Sequence, residues 1–101
     1  MRLRYTLAAR GDLDHIYNHI AEQNPQAANR VEQHIRAAIE LLPTWPHMGV
    51  MTDIQSVRRL PVVRYPYAVF YRIETIREEI QVLRVLHGRQ VKDRGKLPDD
   101  D

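Results

Sequence analysis

The stretch that decides the fold is Tyr65-Pro66-Tyr67-Ala68-Val69-Phe70-Tyr71-Arg72, the middle one of three short runs rich in β-forming residues. The run before it is Val57-Arg58-Arg59-Leu60-Pro61-Val62, and the run after it extends from Ile80 to Val85 and into Leu86-His87-Gly88-Arg89. Valine, isoleucine, tyrosine and phenylalanine favour strands, and polar or proline-containing joints separate the runs. The pattern therefore predicts three consecutive short strands in the second half of the chain.

One more strand and a first helix are predicted upstream. Charged and apolar residues alternate from Arg2 to Thr6, which is the period of a half-buried strand. From about Ala8 to Glu22, apolar residues recur at the spacing of one helix face, namely Leu13, Ile16, Tyr17 and Ile20. Four polar residues fall on the opposite side of this helix and are expected to face water: Asp12, His15, His19 and Glu22.

A second helix is predicted to begin at Asn24-Pro25, because asparagine caps free amides and proline is tolerated at the first helical position. Its apolar stripe is Ala28, Val31, Ile35, Ala38, Ile39 and Leu42, and Pro43 ends it. Since only a few residues separate the two helices, we expect an antiparallel helix hairpin. The chain from Thr44 to Ser56 is predicted to be a loop, and it carries Trp45, Met48 and Met51.

Both faces of the predicted sheet carry apolar side chains. In the middle run Tyr67, Val69, Tyr71 and Ile73 alternate with Ala68 and Phe70, and in the last run Ile80, Val82 and Leu86 oppose Leu83 and Val85. Apolar residues on both faces normally mean that both faces are covered. The helix hairpin covers one face, so the second is expected to be covered by a partner chain or by the long loop with its large apolar side chains.

The composition is that of one small globular domain over residues 1–101, in which residues from about 90 to 101 form a polar tail. The chain has no cysteine, which excludes disulfides and thiolate metal sites. Its first residues are charged where a signal peptide would be apolar, and no apolar segment is long enough to span a bilayer. We therefore expect a cytoplasmic protein.

Charge is unevenly distributed along the chain. Residues 1–56 carry five basic and six acidic side chains, whereas residues 57–96 carry ten basic and four acidic ones. Such asymmetry favours an acidic partner, either nucleic acid or an acidic protein, although arginines also serve to solvate strand edges.

Few residues suggest a reaction. His15 and His19 lie four apart on a helix, but no third ligand is signalled, so neither a metal site nor a cofactor is predicted. Cleavage of RNA through its 2′-hydroxyl would need a proton acceptor, a cation for the phosphate charge and a proton donor. The candidates are His87 at the end of the last strand, with Arg89, Arg58 and Arg59. A histidine at a strand end is more often a hydrogen-bonded corner residue.

The ordered motifs resemble the RelE/ParE family of bacterial toxins over residues 2 to about 90. In the first half they are Ala9-x-x-Asp12-Leu13-x-x-Ile16, Asn24-Pro25-x-Ala27-Ala28 and Leu42-x-x-x-Pro46-x-x-Gly49. In the second half they are Val57-Arg58-x-Leu60, Tyr65-Pro66-Tyr67-x-Val69-Phe70-Tyr71 and Val85-Leu86-His87-x-Arg89. Each motif alone is weak, and the ordered set at this spacing is fairly specific.

The resemblance implies an α+β fold, with an N-terminal strand and an antiparallel helix hairpin packed on a small antiparallel sheet of three to four strands. It also implies a toxin of a type II toxin–antitoxin system. In such systems the C-terminal segment of a cognate antitoxin, ParD-like or similar, typically wraps the toxin, so a hetero-oligomer with the antitoxin is expected.

The family contains two unlike mechanisms. RelE-like members are ribosome-dependent mRNA endonucleases that place an arginine at the position of Ala68 and a tyrosine near the C-terminus, where Val91-Lys92 stands here. The Tyr-Pro-Tyr and Asn-Pro motifs are more similar to ParE-type toxins, which poison DNA gyrase as binding proteins and hydrolyse nothing themselves. The ParE-like branch is therefore favoured, with no catalytic residue.

Under this interpretation, gyrase is expected to contact the basic C-terminal part at Arg89, Lys92 and Arg94. The antitoxin is expected to lie across the sheet face of Ala68 and Phe70 and against the helix hairpin, at Leu13 and Ile35. Two alternatives stay open. One is a ribosome-dependent endonuclease that uses His87, Arg89, Arg58 and Arg59, and the other is a non-toxic protein that only binds its partner.

Overall fold

The computed structural model describes residues 1–91, without the side chains of Gln90 and Val91. Its elements, in chain order, are β1 Arg2–Tyr5, α1 Leu7–Ala21, α2 Pro25–Glu40, β2 Val50–Met51, β3 Arg58–Pro61, β4 Tyr67–Glu74, β5 Glu79–His87 and α3 Gly88–Val91. The predicted α+β class and the helix hairpin are confirmed.

Each long helix begins at a side-chain cap. The Thr6 hydroxyl accepts a hydrogen bond from the Ala9 N–H at 3.1 Å, and the Asn24 side chain accepts one from the Ala27 N–H at 3.0 Å. Both cap residues have extended backbones, and Pro25 occupies the first turn of α2 as predicted. Both helix starts are therefore capped by a side chain three residues before the donor N–H.

The sheet has five strands in the order β1-β5-β4-β3-β2. Strands β3, β4 and β5 are antiparallel neighbours as expected, but β1 pairs parallel to β5, and Val50–Met51 adds a two-residue edge strand that was predicted as loop. The sheet is therefore mixed and larger than the expected three to four antiparallel strands. A two-residue strand has too little periodicity to be read from sequence, and strand direction depends on which neighbour the N-terminus meets.

The helix hairpin covers one face of the sheet and forms the main core. Its helical side chains include Leu13, Ile16, Val31, Ile35 and Ile39, all at most 8% exposed. The sheet side chains of this core are Leu60, Val62, Val69, Tyr71, Ile80, Val82 and Val85. The predicted alternation therefore holds along β4 and the first half of β5.

A β-bulge changes the alternation in the second half of β5. Phe70 pairs with Arg84 while Tyr71 pairs with Val82, so Leu83 is an extra residue on β5. The insertion shifts every later side chain by one position. Val85 consequently faces the helices and Leu86 the opposite side, the reverse of the predicted assignment for these two residues.

The second sheet face carries a smaller apolar cluster that is already shielded in the single chain. Its members are Val57, Ala68, Phe70, Leu83 and Leu86, which are between 1% and 7% exposed. Ile54 packs against them from the loop before β3. A partner chain is therefore not needed to remove these side chains from water.

The residues of the 44–56 loop that cover the second face are not the ones predicted. Trp45, Met48 and Met51 are 62%, 44% and 52% exposed, so the prediction that these three side chains cover the second face is corrected. Only Ile54 and Val57, near its end, reach the apolar cluster. Among the helices of residues 1–91, none combines the length and the apolar character needed to cross a membrane.

Candidate functional site

Arginines line the second face of the sheet around its apolar cluster. Directly opposed residues of neighbouring strands share a face, and Arg59 opposes Phe70. In the same way Arg72 and Arg4 both oppose Gln81, one from each side of β5. Since Arg72 lies two residues from Phe70 along β4, all these side chains are on one face. The sheet thus presents a basic face opposite the helices.

Two of these arginines lack a full set of partners. The Nε atoms of Arg59 and Arg72 are buried and make no hydrogen bond to any described residue. Because these atoms are buried, the side chains lie down on the sheet face and do not extend into water, with their aliphatic parts available to cover apolar neighbours. A buried donor without an acceptor costs about 1–3 kcal/mol. Both residues are partly exposed, so the charge of their guanidinium groups remains available to an anionic group.

Among the described residues, the one buried carboxylate on this face is that of Glu79, and two arginines share it. Glu79 is 9% exposed and accepts a hydrogen bond from the Gln81 side chain at 3.2 Å. Arg2 and Arg4 each approach it at 3.7 Å, which is at the long end for an ion pair. One carboxylate therefore serves two guanidinium groups, and the face keeps a net positive charge.

The residues predicted to bind an antitoxin lie at very different depths. Ala68 and Phe70 are on the second face but only 1% and 2% exposed, beneath the arginine side chains that share that face. Leu13 and Ile35 are 4% and 0% exposed in the core between the helices and the sheet, so Ile35 offers no surface to a partner. Leu13 lies at the wall of an open cleft of about 360 Å³ that is also lined by Tyr5, Arg10, Asp14 and Arg36.

Of the three residues predicted to contact gyrase, the structure describes Arg89, which follows the end of strand β5. Arg89 is exposed in the first turn of α3, and its backbone N–H donates to Nδ1 of His87 at 3.1 Å. The His87 ring lies edge-on to Tyr67, with 5.4 Å between ring centroids. His87 is thus a hydrogen-bonded corner residue that orders the start of α3. Lys92 and Arg94 lie outside the described residues.

The four residues of the nuclease alternative do not converge. Arg58 lies on the helix side, opposite Tyr71, and donates to the carbonyls of Gly49 at 2.8 Å and His47 at 3.3 Å. Arg59 is on the opposite face. Its position on β5 corresponds to Arg84, two strands away, and His87 is three residues further along β5. The Cα atoms of Arg59 and His87 are therefore about 14 Å apart. A single phosphate cannot meet all four groups in this arrangement.

Asp12 has a role that sequence reasoning missed. It was expected on the polar side of α1, but its carboxylate accepts two hydrogen bonds from Arg84, at 2.7 and 2.8 Å, and one from the Val85 N–H at 2.9 Å. These bonds raise the pKa of the Arg84 guanidinium above its ordinary value, against the opposing effect of burial. One signal was available: Arg84 is a charge between the apolar residues Leu83 and Val85 of a strand and needs a partner.

Tyr71 and Arg58 form a second contact that the sequence did not indicate. The Tyr71 hydroxyl, in a fully buried side chain, donates to the Pro46 carbonyl at 2.7 Å and accepts from the Gly49 N–H at 2.9 Å. Burial raises the pKa of this hydroxyl, although the Gly49 N–H and the Arg58 charge partly offset it. Together with Arg58, Tyr71 fixes the chain before β2, and we call this set of contacts the loop clamp.

Comparison with solved structures first identifies the fold architecture. The chain superposes on a solved structure of the chromosomal ParDE toxin–antitoxin system of P. aeruginosa with a TM-score of 0.77 and 30% identity, over 86% of this chain and 95% of that one. The RelBE2 toxin–antitoxin complex of Mycobacterium tuberculosis gives a TM-score of 0.54 at 22% identity, over 85% and 95% of the two chains, and this likeness concerns the fold alone. The protein thus has the RelE/ParE toxin architecture.

Sequence comparison then gives the family. Residues 3–92 match the family described as "ParE toxin of type II toxin-antitoxin system, parDE". The Sinorhizobium fredii (strain NBRC 101917 / NGR234) protein named "Putative toxin Y4kP" is 36% identical over 89 residues, which are 88% of this chain and 90% of that protein. The chain belongs to the ParE family and is a toxin of a type II toxin–antitoxin system. The sequence-based preference for the ParE-like branch is confirmed.

Proposed function

We propose that this ParE-family toxin inhibits DNA gyrase as a binding protein in the cytoplasm and that it is neutralised by a cognate antitoxin. The observation that carries the first part is the dispersal of His87, Arg89, Arg58 and Arg59 over both faces of the sheet, which argues against a phosphate-cleaving centre. A toxin without a reaction centre acts by occupying its target. The ParE-like motifs favour gyrase as that target.

The proposed gyrase contact is the basic end of the chain, at Arg89 with Lys92 and Arg94. Arg89 is exposed, and its position is ordered by the bond from its N–H to His87. Behind it, β5 is held by the Asp12 carboxylate at Arg84 and Val85. An ordered scaffold lowers the entropy lost when an exposed arginine docks on a partner, which supports a contact at this point.

The direct test is a DNA cleavage assay with purified gyrase and the full chain. The expected result is accumulation of cleaved-DNA complexes, while mRNA on translating ribosomes stays intact. Arg89→Ala should weaken the effect about tenfold or more, as expected for an arginine at the centre of an interface. Arg77→Ala is the matched control, because Arg77 is an equally exposed arginine in the β4–β5 turn and should behave as wild type.

Two results would contradict the proposal. Cuts in mRNA at the ribosomal A site that disappear in His87→Ala would establish the nuclease alternative. Unchanged growth on expression of the chain without any partner, together with an inert gyrase assay, would establish the non-toxic binding protein. Full activity of Arg89→Ala would mean that gyrase contacts another part of the toxin, with gyrase still the target.

The proposed antitoxin contact is the second sheet face and the cleft beside Leu13, in a hetero-oligomer. Arg59 and Arg72 are partly exposed on this face, so a carboxylate from an acidic segment would pair with their guanidinium charge. Ala68 and Phe70 support this surface from below, and Ile35 supports it only through the core. The antitoxin therefore meets mainly arginine side chains, and Leu13 contributes only the small part of its side chain that lines the cleft.

This contact is tested by co-purification with the protein encoded by the neighbouring reading frame. The double variant Arg59→Ala/Arg72→Ala should lose at least tenfold in affinity, whereas Arg30→Ala, an exposed arginine of α2, should lose nothing. Equal affinity of the double variant and wild type would remove the second face from the interface. Gyrase inhibition by the double variant in the absence of antitoxin provides the check on folding.

A further inference from the structure

The edge of the sheet at β2 is apolar and open. Leu41, Trp45, Met48, Val50 and Met51 lie within eleven residues of chain and are between 44% and 67% exposed. Turn hydrogen bonds connect them: the Trp45 N–H donates to the Leu41 carbonyl at 2.9 Å, and the Met48 N–H to the Trp45 carbonyl at 3.2 Å. We call these five side chains the edge patch. Val50 and Met51 point to opposite faces of the sheet, so the edge patch surrounds the β2 edge on both sides. Exposed apolar side chains grouped at one edge of a small domain indicate an interaction surface.

The edge patch is held in place by the loop clamp, although none of its side chains joins the core. The buried Tyr71 hydroxyl bonds Pro46 and Gly49, and the Arg58 guanidinium bonds the carbonyl of Gly49 directly before β2. Gly49 has no space for a side chain, because a Cβ there would be 2.7 Å from the Tyr71 ring. A loop anchored this firmly presents its apolar side chains in one arrangement, as a binding surface requires.

The backbone of the same edge is ready for another strand. The Thr52 N–H donates to the Val57 carbonyl at 3.0 Å, so in the antiparallel alternation Met51 is opposite Arg58 at the non-bonded position. The N–H and C=O of Met51 therefore point away from β3. Natural proteins usually protect such an edge with charge or proline, and Val50 and Met51 supply neither.

We propose that this edge is a self-association surface, at which two copies of the chain pair β2 with β2 about a two-fold axis through Met51. An antiparallel pair at Met51 uses the same donor and acceptor from both copies, which is the self-complementarity that a two-fold interface needs. The two five-stranded sheets then form one continuous sheet of ten strands.

Charge and area both suit a second copy. The edge patch has no ionised side chain, and the Arg59 residues of the two copies are separated by three strand spacings, about 14 Å, beyond most of their screened repulsion. The exposed parts of the five side chains amount to roughly 500 Å² per copy and about 1,000 Å² for the pair, near the lower limit for a specific interface. An interface near this limit is typical of weak, reversible association.

Sedimentation of the purified full chain over a wide concentration range tests this proposal, with fluorescence as a second readout. Trp45 is the only tryptophan of the chain, so its emission reports directly on the edge patch. The expected result is a monomer–dimer equilibrium in which Trp45 emission shifts to shorter wavelength as the dimer forms. Met51→Lys should shift the equilibrium at least tenfold towards monomer, because it places like charges beside the axis.

Ile76→Lys is the matched control and should dimerise as wild type, because Ile76 is 91% exposed in the distant β4–β5 turn. If Met51→Lys does not fold by circular dichroism, Val50→Lys serves in its place. A chain that stays monomeric at all concentrations overturns the proposal. So does a dimer that survives Met51→Lys without a change in Trp45 emission, since it would use another surface.

Discussion

The two edges of the sheet are treated in opposite ways. Beyond the short strand β1, the free edge of β5 is closed by α1: the Thr6 N–H and hydroxyl donate to the carbonyls of Val82 and Leu83, and Asp12 accepts from the Val85 N–H. At β2 the edge is left open, although the loop before it is clamped. These contacts therefore prevent strand pairing along the part of β5 that β1 leaves free, whereas the β2 edge is left open.

The largest effect is expected from breaking the closed edge. Asp12→Ala leaves the Arg84 guanidinium and the Val85 N–H without their acceptor in a site where both ion-pair side chains are less than one quarter exposed. We expect a loss of about 3 kcal/mol in the free energy of unfolding, measured by urea denaturation. Asp14→Ala, on an exposed position of the same helix, should change stability by less than about 0.5 kcal/mol. Equal losses in both variants would mean that Asp12 acts only through helix propensity.

A smaller effect is expected from loosening the clamp at the open edge. Gly49→Ala forces a Cβ to within 2.7 Å of the Tyr71 ring, so the loop or the ring must move. The expected loss is about 1–3 kcal/mol of unfolding free energy. Gly11→Ala has no atom within 4 Å of the new Cβ and should instead stabilise the chain by about 0.5–1 kcal/mol through helix propensity. A loss of unfolding free energy in Gly49→Ala together with a gain in Gly11→Ala would show that the clamp geometry causes the loss, and not alanine in general.

Removal of the Tyr71 hydroxyl weakens the same clamp without adding bulk. Tyr71→Phe loses the bonds to Pro46 and Gly49 and should cost about 1–2 kcal/mol at neutral pH, whereas Tyr17→Phe, which loses one exposed bond to Asn29, should cost less.

This variant should also change the response to alkali. Burial raises the pKa of Tyr71, so the neutral hydroxyl is favoured in the folded state. The stability it contributes is complete below the ordinary pKa of 10.0 and is lost as the pH rises through the folded-state pKa. Urea denaturation at neutral pH and above pH 10 should therefore reveal a smaller alkaline loss of stability in Tyr71→Phe than in wild type. The loss that remains in the variant is due in part to Tyr5 and Tyr67, because burial also raises their pKa values. An identical alkaline loss would exclude the hydroxyl as the titrating group.

The smallest effect on stability is expected at Ile76, an exposed apolar side chain in the β4–β5 turn. Ile76→Lys replaces a side chain that is 91% exposed in a turn and should change the free energy of unfolding by less than about 0.5 kcal/mol. Its solubility and oligomeric state should match those of wild type. A marked effect would mean that exposure alone, and not the β2 edge, governs association of this chain.

Much of the scaffold was predictable because its signals are local. The cap at Asn24, the apolar stripe of α2 and the alternation along β4 each depend on a few neighbouring residues. The cap at Thr6 was not predicted, because Thr6 was assigned to the end of the first strand. The candidate sites were less predictable. Asp12 was assigned to the solvent side of α1, and Val85 and Leu86 were assigned to the wrong faces because one bulge residue, Leu83, is invisible in a period-two pattern.

By itself the sequence determined two helices, four of the strands, a basic second half and membership of a toxin family, because capping, periodicity and ordered motifs are properties of short segments. The tertiary structure alone decided that β1 runs parallel to β5, that arginines lie across the second face and that one edge is closed while the other stays open. These features depend on pairs such as Asp12 with Arg84 and Gly49 with Tyr71, which are far apart in the chain. Their contact energy exists only after the helices have packed on the sheet, so no local pattern encodes it.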